Sequence, residues 1–187
     1  TGSMYTSTPY LDSPLARVLG IRPGSHGEAM IPEAQLVEKI RRYTGAGWQV
    51  AIHSQGDASN REVLRALGTV GPLAGASPAV RLEHGVFLPE EGMAQLARLR
   101  VSPSFHIHHI KYYGDALANS IVGLQAAMQT LPVRSAFAHG VRPTLHADSP
   151  MFPPKAFGLM QTAIDRRTGM GALLNAGQSI TVQQALR

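Results

Sequence analysis

The residues best equipped for chemistry are histidines placed at the ends of short apolar runs. His53 closes WQVAIH and His84 closes AVRLEH. His106, His108 and His109 cluster after VSPSF, and His146 precedes Asp148 in TLHAD. Neutral imidazole and carboxylate are good ligands for zinc and similar divalent ions, and both groups also transfer protons. Cysteine is absent, which removes thiolate ligands, disulfides and cysteine nucleophiles. A lone histidine at a strand end is more often a hydrogen-bonded structural group than a ligand. Four successive runs ending in one is a pattern that chance seldom makes.

The elements that must position these residues are legible as an alternation. Residues 1–31 read as a loop-rich lead-in, punctuated by Pro9, Pro14, Gly20, Pro23, Gly24 and Gly27. Pro32 opens a helix carrying Leu36, Val37, Ile40 and Tyr43 at helical spacing, and Gly45 and Gly47 end it. Trp48–His53 follows as a strand. Ser59 and Glu62 then have the spacing of a capping box before a helix with Val63, Leu64 and Leu67 on one face. The pattern repeats with strand 79–84 and a helix carrying Met93, Leu96 and Ala97. Next come strand 101–107, one or two helices within 116–139 broken at Pro132, strand 141–147, and a helix near 155–167. Thr181 caps a last helix. Strands alternating with helices, without hairpin signals, call for a parallel sheet with helical crossovers. About four βα units are half of an eightfold (β/α)8 TIM barrel, a fold whose chemistry sits at the C-terminal strand ends.

Composition narrows the function classes. The 187 residues are 44% hydrophobic and 16% charged, the balance of a folded α/β domain and not of a disordered chain. No apolar run approaches the length of roughly 20 residues that spans a bilayer, and no basic-then-apolar leader is seen, so a cytoplasmic enzyme without membrane contact is expected. The net charge of +5 comes from basic residues scattered singly or in pairs such as Arg41–Arg42, not from the clustered stripe of a nucleic-acid binder. Met93, Met128 and Met160 occupy core-like helical positions. Asp57 has a bland reading as a helix-capping residue and Asp148 as a turn residue before Pro150. Tyr112 and Tyr113 have one as packing at the barrel mouth.

Four segments in order, VAIHSQGDAS, RLEHGVFLPEEGMAQLARLRVSPSF, HHIKYYGD and PVRSAFAHGVRPTLHADSPMFPPKAF, resemble the YtcJ-like branch of the amidohydrolase superfamily from about residue 30 to the end. The resemblance implies that His53 and His84 are the metal-binding histidines of the barrel's fifth and sixth strands. It makes Asp148 the eighth-strand aspartate, both metal ligand and general base. Gly56–Asp57 matches the family's Gly-Asp after the fifth strand. His109 matches the histidine before an aromatic–Gly–Asp segment, here Tyr113–Gly114–Asp115, with Tyr113 in place of a more usual Trp. On this reading His109 serves catalysis at the substrate carbonyl, and His109, Tyr113 and Asp57 line the substrate site. The family's first-strand His-x-His pair and fourth-strand bridging residue have no counterpart, nor does its small β-sandwich. Residues 1–187 are therefore expected to be the C-terminal portion of an amidohydrolase barrel, with 32–187 as its βα units.

The implied activity is hydrolysis of an amide or other C–N bond, or an ester, by metal-activated water with Asp148 as base. The cofactor expected is a divalent metal, zinc foremost, with one or two ions in the complete enzyme. Sharing such a centre requires His53, His84 and Asp148 to lie within about 10 Å of one another. The partners expected are a small-molecule substrate, with a second copy of the chain or the N-terminal half of the barrel covering the open sheet edges. The alternative is a non-catalytic half-barrel that binds a ligand or partner.

Overall fold

A computed structural model describes residues 5–7, 17–18, 20–73 and 79–187. Much of the lead-in expected over 1–31 lies outside the described residues. Four strands, β1 (Val50–Ser54), β2 (Val80–His84), β3 (Ser102–Phe105) and β4 (Thr144–Leu145), form one sheet in sequence order. Every neighbouring pair is parallel. Each crossover is helical: α1 (Glu33–Gly45) precedes β1, α2 (Asp57–Val70) links β1 to β2, and α3 (Met93–Leu99) links β2 to β3. Between β3 and β4 run α4 (His108–Ala116), a π-helical turn Leu117–Ile121, α5 (Leu124–Ala127) and α6 (Val133–Ala138). α7 (Ala156–Asp165) and α8 (Val182–Ala185) follow β4. This is an α/β fold on a parallel sheet.

The two faces of the sheet differ because side chains alternate along each strand. Ile52, Val80, Leu82 and Phe105 are buried in the core with Leu36, Ile40, Val63 and Leu67 from α1 and α2. Removing a side chain of that size from water stabilises the fold by about 1.5–3 kcal/mol. The opposite face is polar. The parallel register sets His53 beside Glu83, Glu83 beside Ser104 and Ser104 beside Thr144, with Ala51, Arg81 and Ser102 in the row below. Arg81 and Glu83 form an ion pair on this face.

Several element boundaries depart from the sequence reading. α2 starts at Asp57 with Gly56 as its N-cap, three residues earlier than the Ser59–Glu62 box implied. Ser59 Oγ instead donates to Gly56 O and shares a hydrogen bond with Ser54 Oγ. The strand expected over 101–107 stops at Phe105, and His108 and His109 lie in the first turn of α4, not at a strand end. The strand expected over 141–147 pairs only through Thr144 and Leu145. Thr181 does cap α8: its hydroxyl accepts from Gln184 N while the Gln184 side chain accepts from Thr181 N.

A buried cation fixes the far side of the β4 region. Arg166, fully buried at the end of α7, donates to the carbonyls of Leu174, Leu131 and Thr130 at 3.1, 2.9 and 2.8 Å. Burial pulls its pKa down to about 10, so the guanidinium remains charged at neutral pH. Leu131 N in turn donates to Val86 O, two residues past His84, so this clamp braces the turn behind β2.

Candidate metal centre

The strand ends bring five imidazoles and one carboxylate together. Ring centroids of His53 and His84 are 4.3 Å apart, those of His84 and His146 5.0 Å, His84 and His106 5.6 Å, His106 and His146 4.9 Å, and His106 and His109 4.2 Å. Among the described residues, His84, His106 and Asp148 can each offer one ligand atom with all three atoms within 4.8 Å of one another.

Backbone geometry builds this convergence. Alternation alone would send the His84 side chain to the helix-covered face, with Leu82. His84 instead has φ 72° and Gly85 φ 54°, so the chain turns sharply at the strand end, and Gly85 N is held by Ser54 O. The His84 ring thereby reaches His53, which projects from the polar face of β1. A Cβ on residue 85 would come within 3.2 Å of the Phe105 ring, which makes glycine the fitting residue there. Asp148, three residues past β4, is also left-handed at φ 53° and is exposed.

The donor atoms are in the right state for a cation. Burial, reinforced by the neighbouring histidines, lowers His84 to about 4. Burial and His109 lower His106 to about 2, and burial lowers His109 to about 4. All three are neutral at pH 7, so each ring has one nitrogen lone pair. His106 Nε2 must carry its proton, since it donates to Ala147 O at 3.1 Å. That leaves Nδ1 as the lone-pair atom, and it is buried with no hydrogen-bond partner. His84 Nδ1 and His146 Nε2 are buried and unpartnered as well. Several unsatisfied buried imidazole nitrogens around one point, beside a carboxylate, fit a divalent ion, and a second ring N–H held by a carbonyl is the usual support of a metal-binding histidine.

The residues expected from the sequence fall as follows. His84 and Asp148 are in the mutually close set. His53 adjoins His84; burial lowers its pKa while the charges of Asp148 and Glu83 pull it up, which places it in the same electrostatic field. His109 lies against His106, with Nδ1–H donating to His106 O at 3.3 Å and Tyr113 5.5 Å from its ring. Asp57 engages Arg61 and accepts from Ser7 N. Burial would raise its pKa, but these hydrogen bonds outweigh that and lower it. His106 and His146, noted in the sequence without an assigned role, join the cluster because β3 pairs with β2 and β4 with β3, so that the residues just past β3 and β4 reach His84. His108 turns away to Thr162 on α7.

Two glycines of the recognised segments answer to close packing. A Cβ on Gly56 would overlap Tyr5 O, and one on Gly114 would lie 2.8 Å from Thr168 Cγ2. The neighbouring Asp115 accepts from Thr168 Oγ1 and Met170 N, which ties α4 to the segment after α7. A separate cavity of about 500 Å³, lined by Asp57, Arg61, Phe87, Glu90, Gln129 and Gln178 among others, includes none of the clustered histidines. Among the described residues, no helix is long and apolar enough to cross a membrane.

Comparison with known proteins gives this arrangement a context. Residues 1–187 match the family described as the amidohydrolase family. An N-substituted formamide deformylase of Arthrobacter pascens is 31% identical over 147 residues, covering 78% of this chain and 27% of that protein. Two crystal structures of uncharacterized metal-dependent hydrolases share the fold. The one from Pyrococcus furiosus has a TM-score of 0.75 at 21% identity over 98% of this chain and 34% of its own. The one from Pyrococcus horikoshii OT3 has a TM-score of 0.78 at 22% identity over 98% and 35%. The chain spans about a third or less of the length of these relatives.

Proposed function

The chain belongs to the amidohydrolase family, and from that premise we propose that it carries the metal centre and general base of a hydrolase acting on C–N bonds, with an N-substituted formamide or similar amide as substrate. The observation that carries this reading is the mutual approach, within 4.8 Å, of ligand atoms from His84, His106 and Asp148. The unpartnered imidazole nitrogens around them support it. His53, beside His84, completes the ligand set we assign. The four βα units are read as part of a TIM barrel of the YtcJ-like branch. The polar row of His53, Glu83, Ser104 and Thr144 would face the barrel interior, and the outer edges of β1 and β4 would pair with further strands or a second copy.

A divalent ion bound by these residues, zinc being the ion we favour, supplies positive charge that acidifies water and polarises a carbonyl. The protein's own groups do the rest. The Asp148 carboxylate takes a proton from the attacking water and returns it to the departing nitrogen, and its exposed position leaves room for both partners. His109 holds the substrate. Because its Nδ1–H is engaged by His106 O and the ring is neutral at pH 7, Nε2 presents a lone pair. In this tautomer Nε2 has no proton to give the substrate carbonyl, where the resemblance put His109, so we place it at the amide N–H, from which it accepts.

The test is formate release from N-substituted formamides by the purified complete enzyme that contains these residues, with metal content measured in parallel. Turnover should vanish on chelation and return with zinc or another divalent ion. Asp148→Asn should lower kcat by at least a hundredfold with the fold retained. Turnover that survives either treatment would remove the assigned chemistry.

A further inference from the structure

In a parallel sheet every helical crossover returns the chain to the same end, so the turns that enter β1, β2, β3 and β4 lie side by side. That end is opposite the histidine cluster. Arg41 and Arg42 close α1 and lead into β1, Arg98 and Arg100 lead from α3 into β3, and Arg142 stands two residues before β4. All five are exposed. Two contacts tie the turns together: Arg41 donates to Thr69 O in the last turn of α2, and Ser102 Oγ, at the start of β3, donates to Arg142 O at 2.7 Å. A strand spacing of about 4.8 Å puts the entries of β1 and β4 about 15 Å apart.

The sequence supplies no carboxylate to these turns. Asp and Glu are absent from 39–56, 63–82, 92–114 and 116–147, whereas the turns after the strands carry Asp57, Glu90, Glu91 and Asp148. Basic residues in the last turn of a helix complement its dipole, which accounts for Arg42 and Arg98. That account does not reach Arg142, four residues past the end of α6. Nor does it call for Trp48 and Tyr43, 69% and 46% exposed at the entry to β1, where Arg42 lies 5.9 Å from the Tyr43 ring centroid.

We propose that this end of the sheet docks on an anionic membrane surface, with its arginines on lipid phosphates and Trp48 and Tyr43 at headgroup level. Guanidinium forks match phosphate oxygens, and a headgroup surface asks only for dispersed cations and amphipathic rings. A nucleic-acid strand is held instead by a groove that tracks its backbone. Here the charges sit on separate turns, and neither the cavity of about 500 Å³ nor that of about 230 Å³ is lined by any of them. The arginines look scattered in the sequence because only the parallel crossovers gather them, which revises the expectation of no membrane contact. The docked protein keeps its metal centre at the far end, open to solution.

Co-sedimentation tests this with the complete enzyme that contains these residues and vesicles of phosphatidylcholine, with or without about 30 mol% phosphatidylglycerol. Binding should require phosphatidylglycerol and fall as salt rises past about 0.1 M, where the screening length is about 10 Å. One basic side chain near an anionic surface is worth about fivefold in partition, so Arg98→Gln and Arg142→Gln should each lose about that factor, and the pair about twenty-fivefold. Arg98→Lys and Arg142→Lys should bind like the unaltered protein, as should Arg134→Gln at the start of α6. Trp48→Ala should weaken binding without changing its salt dependence. Thermal unfolding of each variant separates lost contact from lost fold. Equal binding to both vesicles, binding to neither, or folded Arg98→Gln and Arg142→Gln variants that bind undiminished would overturn the surface. So would a single-stranded oligonucleotide bound in preference to the vesicles.

Discussion

Replacing Arg166 by Met should destabilise the fold by about 3–5 kcal/mol, and the figure follows from what its guanidinium touches. Three carbonyls, those of Thr130, Leu131 and Leu174, accept from it, and hydrogen bonds with a charged partner are worth about 1.5–3 kcal/mol each. Against that stands the desolvation of a fully buried cation, several kcal/mol, which the variant no longer carries. What decides the sign is the acceptors left behind. Leu131 O keeps a bond from Val133 N at 2.8 Å, which leaves the Thr130 and Leu174 oxygens to lose this partner, at about 1–3 kcal/mol apiece. Met fills most of the volume and leaves the left-handed backbone of residue 166, φ 54°, with the same penalty as before. Arg166→Lys should fall between, because an ammonium is one point charge and cannot fork across two segments. Urea unfolding of the three proteins reads the order directly. A loss below about 1 kcal/mol for Met, or Lys no better than Met, would show that the three bonds are not a clamp.

Other outcomes are expected at the centre itself. His106→Ala should weaken metal binding by about ten- to a hundredfold, and unchanged metal content would make His106 a structural group only. In the metal-free protein, His84 and His106 resist protonation when folded but not when unfolded. The unfolded chain therefore binds more protons below pH 6.5, and stability should decline as pH falls from there toward the folded value of about 4 for His84. A flat stability profile across that window, measured by denaturation, would mean that the imidazoles are not held neutral by burial. Gly85→Ala should destabilise by about 1–2 kcal/mol from the left-handed backbone and weaken metal binding by displacing His84. Wild-type metal affinity in that variant would uncouple the turn from the site.

The fold class was legible because its signals are local. Helix α1 follows from Leu36, Val37 and Ile40 at helical spacing and from the glycines that end it, and α8 from Thr181 and Gln184. Apolar runs ending in His53 and His84 located β1 and β2 to within two residues. The misread places are those where tertiary contacts decide. Ser59 looked like a cap, but a hydroxyl from β1 and the carbonyl of Gly56 compete for it. VSPSFHIHH alternates well enough to extend a strand, yet β3 ends where β4 stops pairing with it, and the chain enters α4 with His108. A period-two pattern carries no information about where the partner strand runs out.

That boundary matters for the chemistry. A strand continued through His109 would put His106 and His108 on one face and His109 on the other. The helix instead rotates His108 toward Thr162 and leaves His109 against His106. The same argument applies at His84, where parity points the ring into the helix layer and a left-handed residue redirects it. Alternation gives each strand end one side chain toward the site. The turn at His84–Gly85 and the early start of α4 change that allotment, so rings from β1, β2, the β3–α4 junction and the segment after β4 meet at one point. Sequence types and order identify which residues are able to bind a metal, whereas the backbone at strand termini decides which of them come together. Motif order singles out His53, His84 and Asp148, while His106, present in the sequence as one strand-end histidine among several, gains its place beside them from the carbonyl of Ala147, which fixes its tautomer.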